Sequence, residues 1–418
     1  MGTALRTSSG GSEPGRRLDI KKVFVVAEVA LSLLLLIAAG LFVRSLRSAH
    51  AIDPGIDVDR LVSAPLGINL LRYTSAQGRA FYQQVLERTE RLPGVESASV
   101  ARVAMLGGSG RILSVHVEGR SSSHDRVLSE GSGVAAGDAT VINANVVGPR
   151  FFETVGIRLL HGRDFDSRDT DQAPPVLVLN AAAARLHFPR GRPIGRRISM
   201  DGPDGPWREV VGIVRDSKYG SLGEDAVPVA YLPLAQNHET GMTLYVRASV
   251  PPGSLAPALR NEIRRLEPNL PVPDIRTMSE TIGTSLYAAR MGAWMIAAFG
   301  GLALLLAVVG IYGVLSFSIA RRTREMGIRL ALGARTRQVF LLVIRDGMWL
   351  VGIGPGIGLT AAIAGASSLR AFLYGISPTD VPSFSAATAV LALVALAACA
   401  IPARRAIRVD PVATLRQE

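Results

Sequence analysis

RRTREMGIRLALGARTRQ, residues 321–338, sets six arginines (321, 322, 324, 329, 335 and 337) against one acid, Glu325, between two long apolar runs. On a helical wheel Met326, Leu330 and Ala334 share one stripe. Arg322, Glu325 and Arg329 share another at spacings of three and four, and the pattern predicts a short amphipathic helix. Gly333 sits where such a helix would end. A basic helix between two spans stays near the bilayer surface. There it rests on lipid headgroups, offers its apolar face to a cytoplasmic protein, or serves only as a positive-inside anchor.

Working outward, Met291 to Ala320 is a 30-residue apolar run containing Gly300, Gly301, Gly310 and Gly313. At 1.5 Å per residue it reaches about 45 Å, more than a hydrocarbon core of about 30 Å requires. The run is therefore expected to project from the membrane toward a water-soluble domain or to tilt strongly. On the other side, 339–366 holds a further span whose Gly354, Gly358 and Pro355, with Gly352 and Gly356, predict close helix contact and a kink. Residues 383–402 form another span, joined by the connector 367–382, and 403–418 is a tail. Near the amino end, Val23 to Val43 carries one charge, Glu28. The run is too long for a signal peptide and has no small-x-small cleavage site, so it is expected to stay as an anchor. Glu28 is expected to reach headgroups or to pair with Lys21 or Lys22, with a proton-relay role as the alternative.

The formal charge is +12 over 418 residues. Ten of those twelve charges lie in residues 1–22, 321–338 and 403–418, which flank the spans. A groove-lining nucleic-acid footprint would concentrate them elsewhere, and nucleic acid is not expected as a partner. The reading is a membrane protein with four transmembrane helices. Residues 1–22, 321–338 and 403–418 are cytoplasmic, and 44–289 form an extracytoplasmic α+β domain between the first helix (23–43) and the second (290–320). Arg44 and Arg47 stand on the wrong side for this orientation. The one cysteine, Cys399, allows no intrachain disulfide and reads as a packing residue.

Residues 44–289 carry the turn chemistry of a soluble domain. Leu61 to Ile68 reads as a strand, Ser75 as the cap of a helix with Phe81, Val85, Leu86 and Leu92 on one face, and Val95 to Val103 as a strand. The order returns near the other end: a strand at Met242 to Val250, a helix capped by Ser254 and running to about Glu267, then an extended Val272 to Arg276. Two such units can pair in one sheet layer. Between them a mostly β insertion is expected at Ile112 to Gly119, Ala139 to Val147, Val176 to Leu179, Trp207 to Val214 and Val229 to Leu232, with a loop at Ser121 to Gly137.

The lysines, 21, 22 and 218, are none of them in a phosphate-binding glycine loop, so the stretch carries no ATP motor of its own. The six histidines show no paired metal spacing. Gly107-Gly108-Ser109-Gly110 lacks the pattern of a nucleophile elbow. The cluster His161 to Asp166 does not assemble acid, base and nucleophile by spacing. No enzymatic activity is expected of the chain.

These residues resemble the MacB/FtsX-like permease subunits of ABC transporters. VAEVALSLLLLIAAGLFVRSL looks like their first span. VGPRFFETVGIRLLHGRDF, PVLVLNAAAARLHFP, RPIGRRI and VVGIVRDSKYGSL look like their MacB-like periplasmic core domain. RRTREMGIRLALGARTRQVF and PARRAIRVDPVATLR look like the FtsX-like membrane domain. The resemblance implies four spans per unit and a second permease unit as homodimer or pseudo-dimer. It also implies a separate cytoplasmic ATPase that supplies ATP and Mg, with no cofactor held in this chain. By the same resemblance Arg324, Glu325, Met326, Gly327, Ile328, Arg329, Leu330, Leu332, Gly333 and Ala334 form the coupling helix docking on that ATPase. A periplasmic adaptor or envelope protein is a further implied partner, in a cell inner membrane. Ala181 departs from the pattern, standing where an acid is expected after the asparagine. ALRTSSGGSEPGRRL resembles the linker before the second half of duplicated permeases. The alternatives are a half of such a permease, or a membrane-anchored extracytoplasmic sensor or scaffold without an ATPase.

Overall fold

The structure is a computed structural model that describes residues 14–49, 51–71, 73–108, 110–119, 141–189, 191–271, 274–321, 352–366, 373 and 375–407. The chain divides into two compact units. One is residues 51–287, and the other joins 1–50 with 288–418.

The first unit is built on a 12-stranded sheet. In chain order its strands are β1 Leu61–Gly67, β2 Val95–Ala101, β3 Arg111–Ser114, β4 His116–Val117, β5 Val141–Val147, β6 Leu159–Gly162, β7 Val176–Asn180, β8 Arg197–Ser199, β9 Arg208–Val214, β10 Val229–Pro233, β11 Gly241–Ala248 and β12 Arg276–Thr277. Their spatial order is β12-β1-β11-β2-β5-β10-β7-β9-β8-β4, with β3 on β5 and β6 on β9. In the run β12-β1-β11-β2 each strand is antiparallel to its neighbours. This group meets the rest of the sheet through one registered pair, Ala101 with Val147.

The second helix of the chain, α2 Ser75–Glu90, lies on one face of the antiparallel group together with α5 Ala256–Leu266. Phe81, Val85, Leu86, Leu259 and Ile263 enter one core with Val62, Ala64 and Leu66, so alternate strand residues and one helical stripe meet as their periods dictate. The cap of α2 is Thr74 rather than Ser75. Thr74 has extended backbone, its hydroxyl accepts from Gln77 N, and its own N–H donates to Gln77 Oε1 at 2.9 Å, a complete capping box. Ser254 is not a cap either: its hydroxyl donates to Pro251 O at 2.7 Å inside a 3-10 turn, Pro252–Leu255, that leads into α5.

The sheet carries two short helices that the sequence reading lacks, α3 Phe151–Val155 and α4 Ala181–His187. Phe152 packs edge-on to Tyr231 at 4.9 Å and Phe151 to Tyr245 at 6.1 Å, so α3 closes an aromatic layer against the sheet. β6 and β8 were also not expected. They are four and three residues long, too short to show a period. The loop expected at Ser121 to Gly137 lies outside the described residues. Following α5, β12 leads into α6 Met278–Ser285, whose Thr277 and Glu280 form a second capping box.

The second unit holds α1 Pro14–Ala49, α7 Tyr287–Arg321, a helical stretch α8 over Gly352–Ala366, and α9 Val381–Ile407. The first span was read from Val23, after a cytoplasmic tail of residues 1–22. The helix instead begins at Pro14, where proline's missing N–H costs nothing in a first turn. Among the described residues three stretches are long and apolar enough to cross a membrane: Val23–Ala49, Met278–Phe317 and Val381–Ile401. Gly352–Ala366 is a shorter apolar helix. Val25, Val29, Leu33, Ile37 and Leu41 of α1 recur every four residues. They are buried against Ala307, Ile311 and Leu315 of α7, Ala362 of α8, and Leu391, Ala395 and Ala398 of α9. α1 is thus the central helix of the bundle, and Cys399 is a fully buried packing residue in the same cluster.

Candidate functional site

The residues expected to contact an ATPase, Arg324 to Ala334, lie outside the described residues. The structure describes the helices that lead to them, α7 ending at Arg321 and α8 from Gly352. Their glycines differ in surroundings. A Cβ on Gly354 would lie 2.6 Å from Val29 Cγ1, and one on Gly358 would lie 2.7 Å from Ala30 O, so α8 approaches α1 at backbone contact. A Cβ on Gly352 or Gly356 would meet nothing within 4 Å. The spacing of four places the first pair on one face and the second on another. The kink expected at Pro355 depends on residues before Gly352 that are not described. On α7, Gly300 meets Leu35 at ordinary contact, 3.5 Å, whereas a Cβ on Gly310 would lie 2.7 Å from Glu28 Oε2.

Glu28 therefore points across the α1–α7 crossing. Its Oε2 is shut off from solvent and has no hydrogen-bond partner, and the Ser32 hydroxyl one turn along is in the same condition. The expectation that this carboxyl reaches headgroups is corrected for Oε2, because Gly310 leaves room for it inside the bundle.

Arg44, on the unexpected side of its span, has a partner far along the chain. Its Nη1 donates to Asp380 Oδ2 at 2.7 Å, joining the end of α1 to the start of α9. Asp380 also accepts from Ser383 N and Ser383 Oγ at 3.0 and 2.7 Å, capping α9. Burial would raise the Asp380 carboxyl, but the Ser383 bonds and the Arg44 charge outweigh it and hold the group below its ordinary range.

In the unit formed by residues 51–287, Asn180 caps α4 by accepting from Ala183 N at 2.9 Å. It also ties β7 to β10 through Val229 N and Val227 O. Ala181 leaves the first turn of α4 without its own acid, and Asp216 supplies one. Its carboxylate accepts from Ala182 N at 2.7 Å and from Arg185 at 2.9 Å, placing negative charge at the helix start. The cluster His161 to Asp166 runs from the end of β6 into a loop held by ion pairs: Arg163 grips Asp169 with two bonds of 2.8 Å, and Asp166 takes Arg168. Among the described residues no three His, Cys, Asp or Glu side chains gather as a metal site. Asp216 and the Arg44–Asp380 pair were missed in the sequence because their partners are 31 to 336 positions away.

Residues 29–266 match the family model of the MacB-like periplasmic core domain, and residues 297–411 match that of the FtsX-like permease C-terminal region. The chain is 28% identical over 298 residues to a macrolide export ATP-binding/permease protein MacB of Agrobacterium fabrum, covering 67% of this chain and 44% of that protein. The protein of the same name from Chromobacterium violaceum is 25% identical over 341 residues, 79% of this chain and 50% of that one. The chain thus spans about half the length of the curated relatives it matches. The crystal structure of the periplasmic region of MacB from Actinobacillus actinomycetemcomitans aligns at 16% identity with a TM-score of 0.37, covering 55% of this chain and 94% of that one.

Proposed function

The chain belongs to the MacB/FtsX-like family of ABC transporter permeases, and from that premise we propose that it passes ATP-driven motion from a cytoplasmic ATPase to an extracytoplasmic domain. The motion serves export, lipoprotein handling or control of an envelope partner. The observation that carries this reading is α7, an unbroken helix of 35 residues. At 1.5 Å per residue it is about 52 Å long, well beyond a core of about 30 Å. Only Leu286 separates it from α6. A continuous helix keeps its length because every interior backbone group is bonded along its axis, so a push at the Arg321 end is not lost in a flexible linker.

In this reading residues 1–22, 321–338 and 403–418 face the cytosol. Arg324 to Ala334 dock on the ATPase, and ATP and Mg belong to that partner. A second permease unit covers part of α7, which exposes Trp294, Met295, Phe299, Leu302, Leu305 and Val309. Gly310, Gly354 and Gly358 hold the bundle close enough to move as one body.

The test is co-purification with candidate ATPases from the same genome, using the native chain and the variants Met326→Asp and Leu330→Asp in nanodiscs. A charge on the apolar stripe of the docking helix is expected to reduce chain-stimulated ATP hydrolysis at least tenfold while thermal unfolding of the outer unit is unchanged. Unaltered stimulation in both variants would remove the docking assignment.

A further inference from the structure

The outer unit contains a cleft of about 290 Å³ beside the join between its two groups of strands. Its floor is apolar: Ala144 and Val146 of β5 and Leu232 of β10 are the top of the buried core. Three arginines and two acids stand in its wall. Arg102 meets Glu239 at 3.0 Å and Arg208 meets Asp201 at 2.8 Å. The third, Arg111, is exposed and has no acidic partner among the described residues. The wall is therefore charge-matched twice, with one guanidinium left over.

The strand period gives that guanidinium apolar neighbours. Arg111 and Leu113 are two apart on β3 and share a face, and Arg111 sits in register with Ala144. Leu113 lines the cleft with them. His238, also in the wall, has its Nδ1 shut off from solvent without a hydrogen-bond partner. That edge of the ring lies against Gly78 of α2, where a Cβ would stand 2.7 Å from Cε1 and 3.5 Å from Nδ1, so this nitrogen faces the helix.

We propose that this cleft binds a small amphipathic carboxylate. Its anionic end meets Arg111, and its apolar body lies on Leu113, Val146 and Leu232. The volume is at the small end of the roughly 300–1,000 Å³ usual for ligand sites, which selects a compact molecule. A planar guanidinium with no acidic partner among the described residues suits a carboxylate, which it can bind through two parallel bonds. Arg102 directly follows β2 and Glu239 lies in the β10–β11 connection, so the wall includes both chain crossings between the two groups of strands.

The inference goes beyond the transport reading and does not depend on the ATPase. The experiment is equilibrium dialysis of the full chain in lipid nanodiscs against radiolabelled N-acetyl-leucine, with N-acetyl-leucinamide as the neutral analogue and empty nanodiscs as the blank. Saturable binding of the acid at one site per chain is expected, with the amide at least tenfold weaker. Arg111→Gln should weaken the acid about tenfold or more, the usual weight of a charged hydrogen bond, and leave the amide unchanged. Arg111→Lys should restore part of the loss, while Arg79→Gln, outside the cleft, should change nothing. Arg111 is exposed, so an unaltered unfolding temperature separates lost binding from lost fold. Equal binding of acid and amide, native binding by Arg111→Gln, or no saturable binding up to about 10 mM would each overturn the assignment.

Discussion

Gly354 and Gly356 are two residues apart in the same helix, and adding one methyl to each should act in opposite directions. At Gly354 the new Cβ would stand 2.6 Å from Val29 Cγ1 and 2.8 Å from Val29 Cβ, so α8 must move off α1. Overpacking of this kind costs about 1–3 kcal/mol. At Gly356 nothing lies within 4 Å, so alanine keeps only its advantage in helix propensity, up to about 1 kcal/mol. Thermal unfolding in detergent is expected to show Gly354→Ala below the native chain and Gly356→Ala at or above it.

Asp169 gives a residue-scale dependence on pH. Its carboxylate is 5% exposed, held by two Arg163 bonds of 2.8 Å and by Asp166 N at 2.9 Å. The Arg163 bond, with help from that backbone donor, keeps it below its ordinary value. A lowered folded pKa contributes stability that is fully present above the unfolded value, about 3.9, and disappears as pH falls through the folded one. Asp164 works in the opposite sense, since burial pushes its carboxyl up. Asp169→Asn should therefore cost on the order of 2 kcal/mol at pH 7. The native chain should lose that advantage below about pH 4. Urea unfolding of the outer unit at pH 7 and pH 3 measures both numbers, and a variant deficit that persists unchanged at pH 3 would contradict the linkage.

At the scale of elements, the long features were readable and the short ones were not. β1, β2, β5, β7, β9, β10 and β11 each begin within two residues of the expected start, because five to eight apolar or alternating residues bounded by turns leave little choice. β6 and β8 escaped because a strand of three or four residues exposes no period and is fixed by its neighbour β9. α4 escaped for another reason: AAAARLH has no polar face, and its helix is started by Asn180 and by an acid from a different strand end. Glu28 and Arg44 were visible as charges in or beside a span, but their surroundings come from α7 and α9 and cannot be read from α1 alone.

The Arg44–Asp380 contact lets the element-scale energetics be separated. The arginine side chain is 45% exposed, so the ion pair itself is worth less than about 1 kcal/mol. Asp380 also caps α9 through Ser383, a role worth about 0.5–2 kcal/mol. Asp380→Ala is expected to lower the unfolding temperature in detergent more than Arg44→Ala does. In a double-mutant cycle the coupling should stay below the cost of the aspartate change alone. A coupling as large as that cost would mean that the ion pair, not the cap, joins the two helices.

At the scale of the whole molecule, the positive charge and the long helix make one argument. Charge repelled from the far side of a membrane fixes which loops stay in the cytosol, and a helix longer than the membrane is thick can connect such a loop to material outside. If α7 acts as that connection, its stiffness matters more than its sequence. Gly301 tests the point, because a Cβ there would meet nothing within 4 Å and proline can be introduced without a packing clash. Proline at 301 removes one backbone bond and clashes with the carbonyl four residues earlier, which bends the helix; membrane helices tolerate this without unfolding. Gly301→Pro is therefore expected to leave ATPase binding and the unfolding temperature of the outer unit within error of native. The ATP-dependent distance change between spin labels in the outer units of two chains should shrink or vanish. Gly301→Ala should behave as native. Full motion in the proline variant would show that displacement reaches the outer unit by another route, with α1 as the remaining continuous helix.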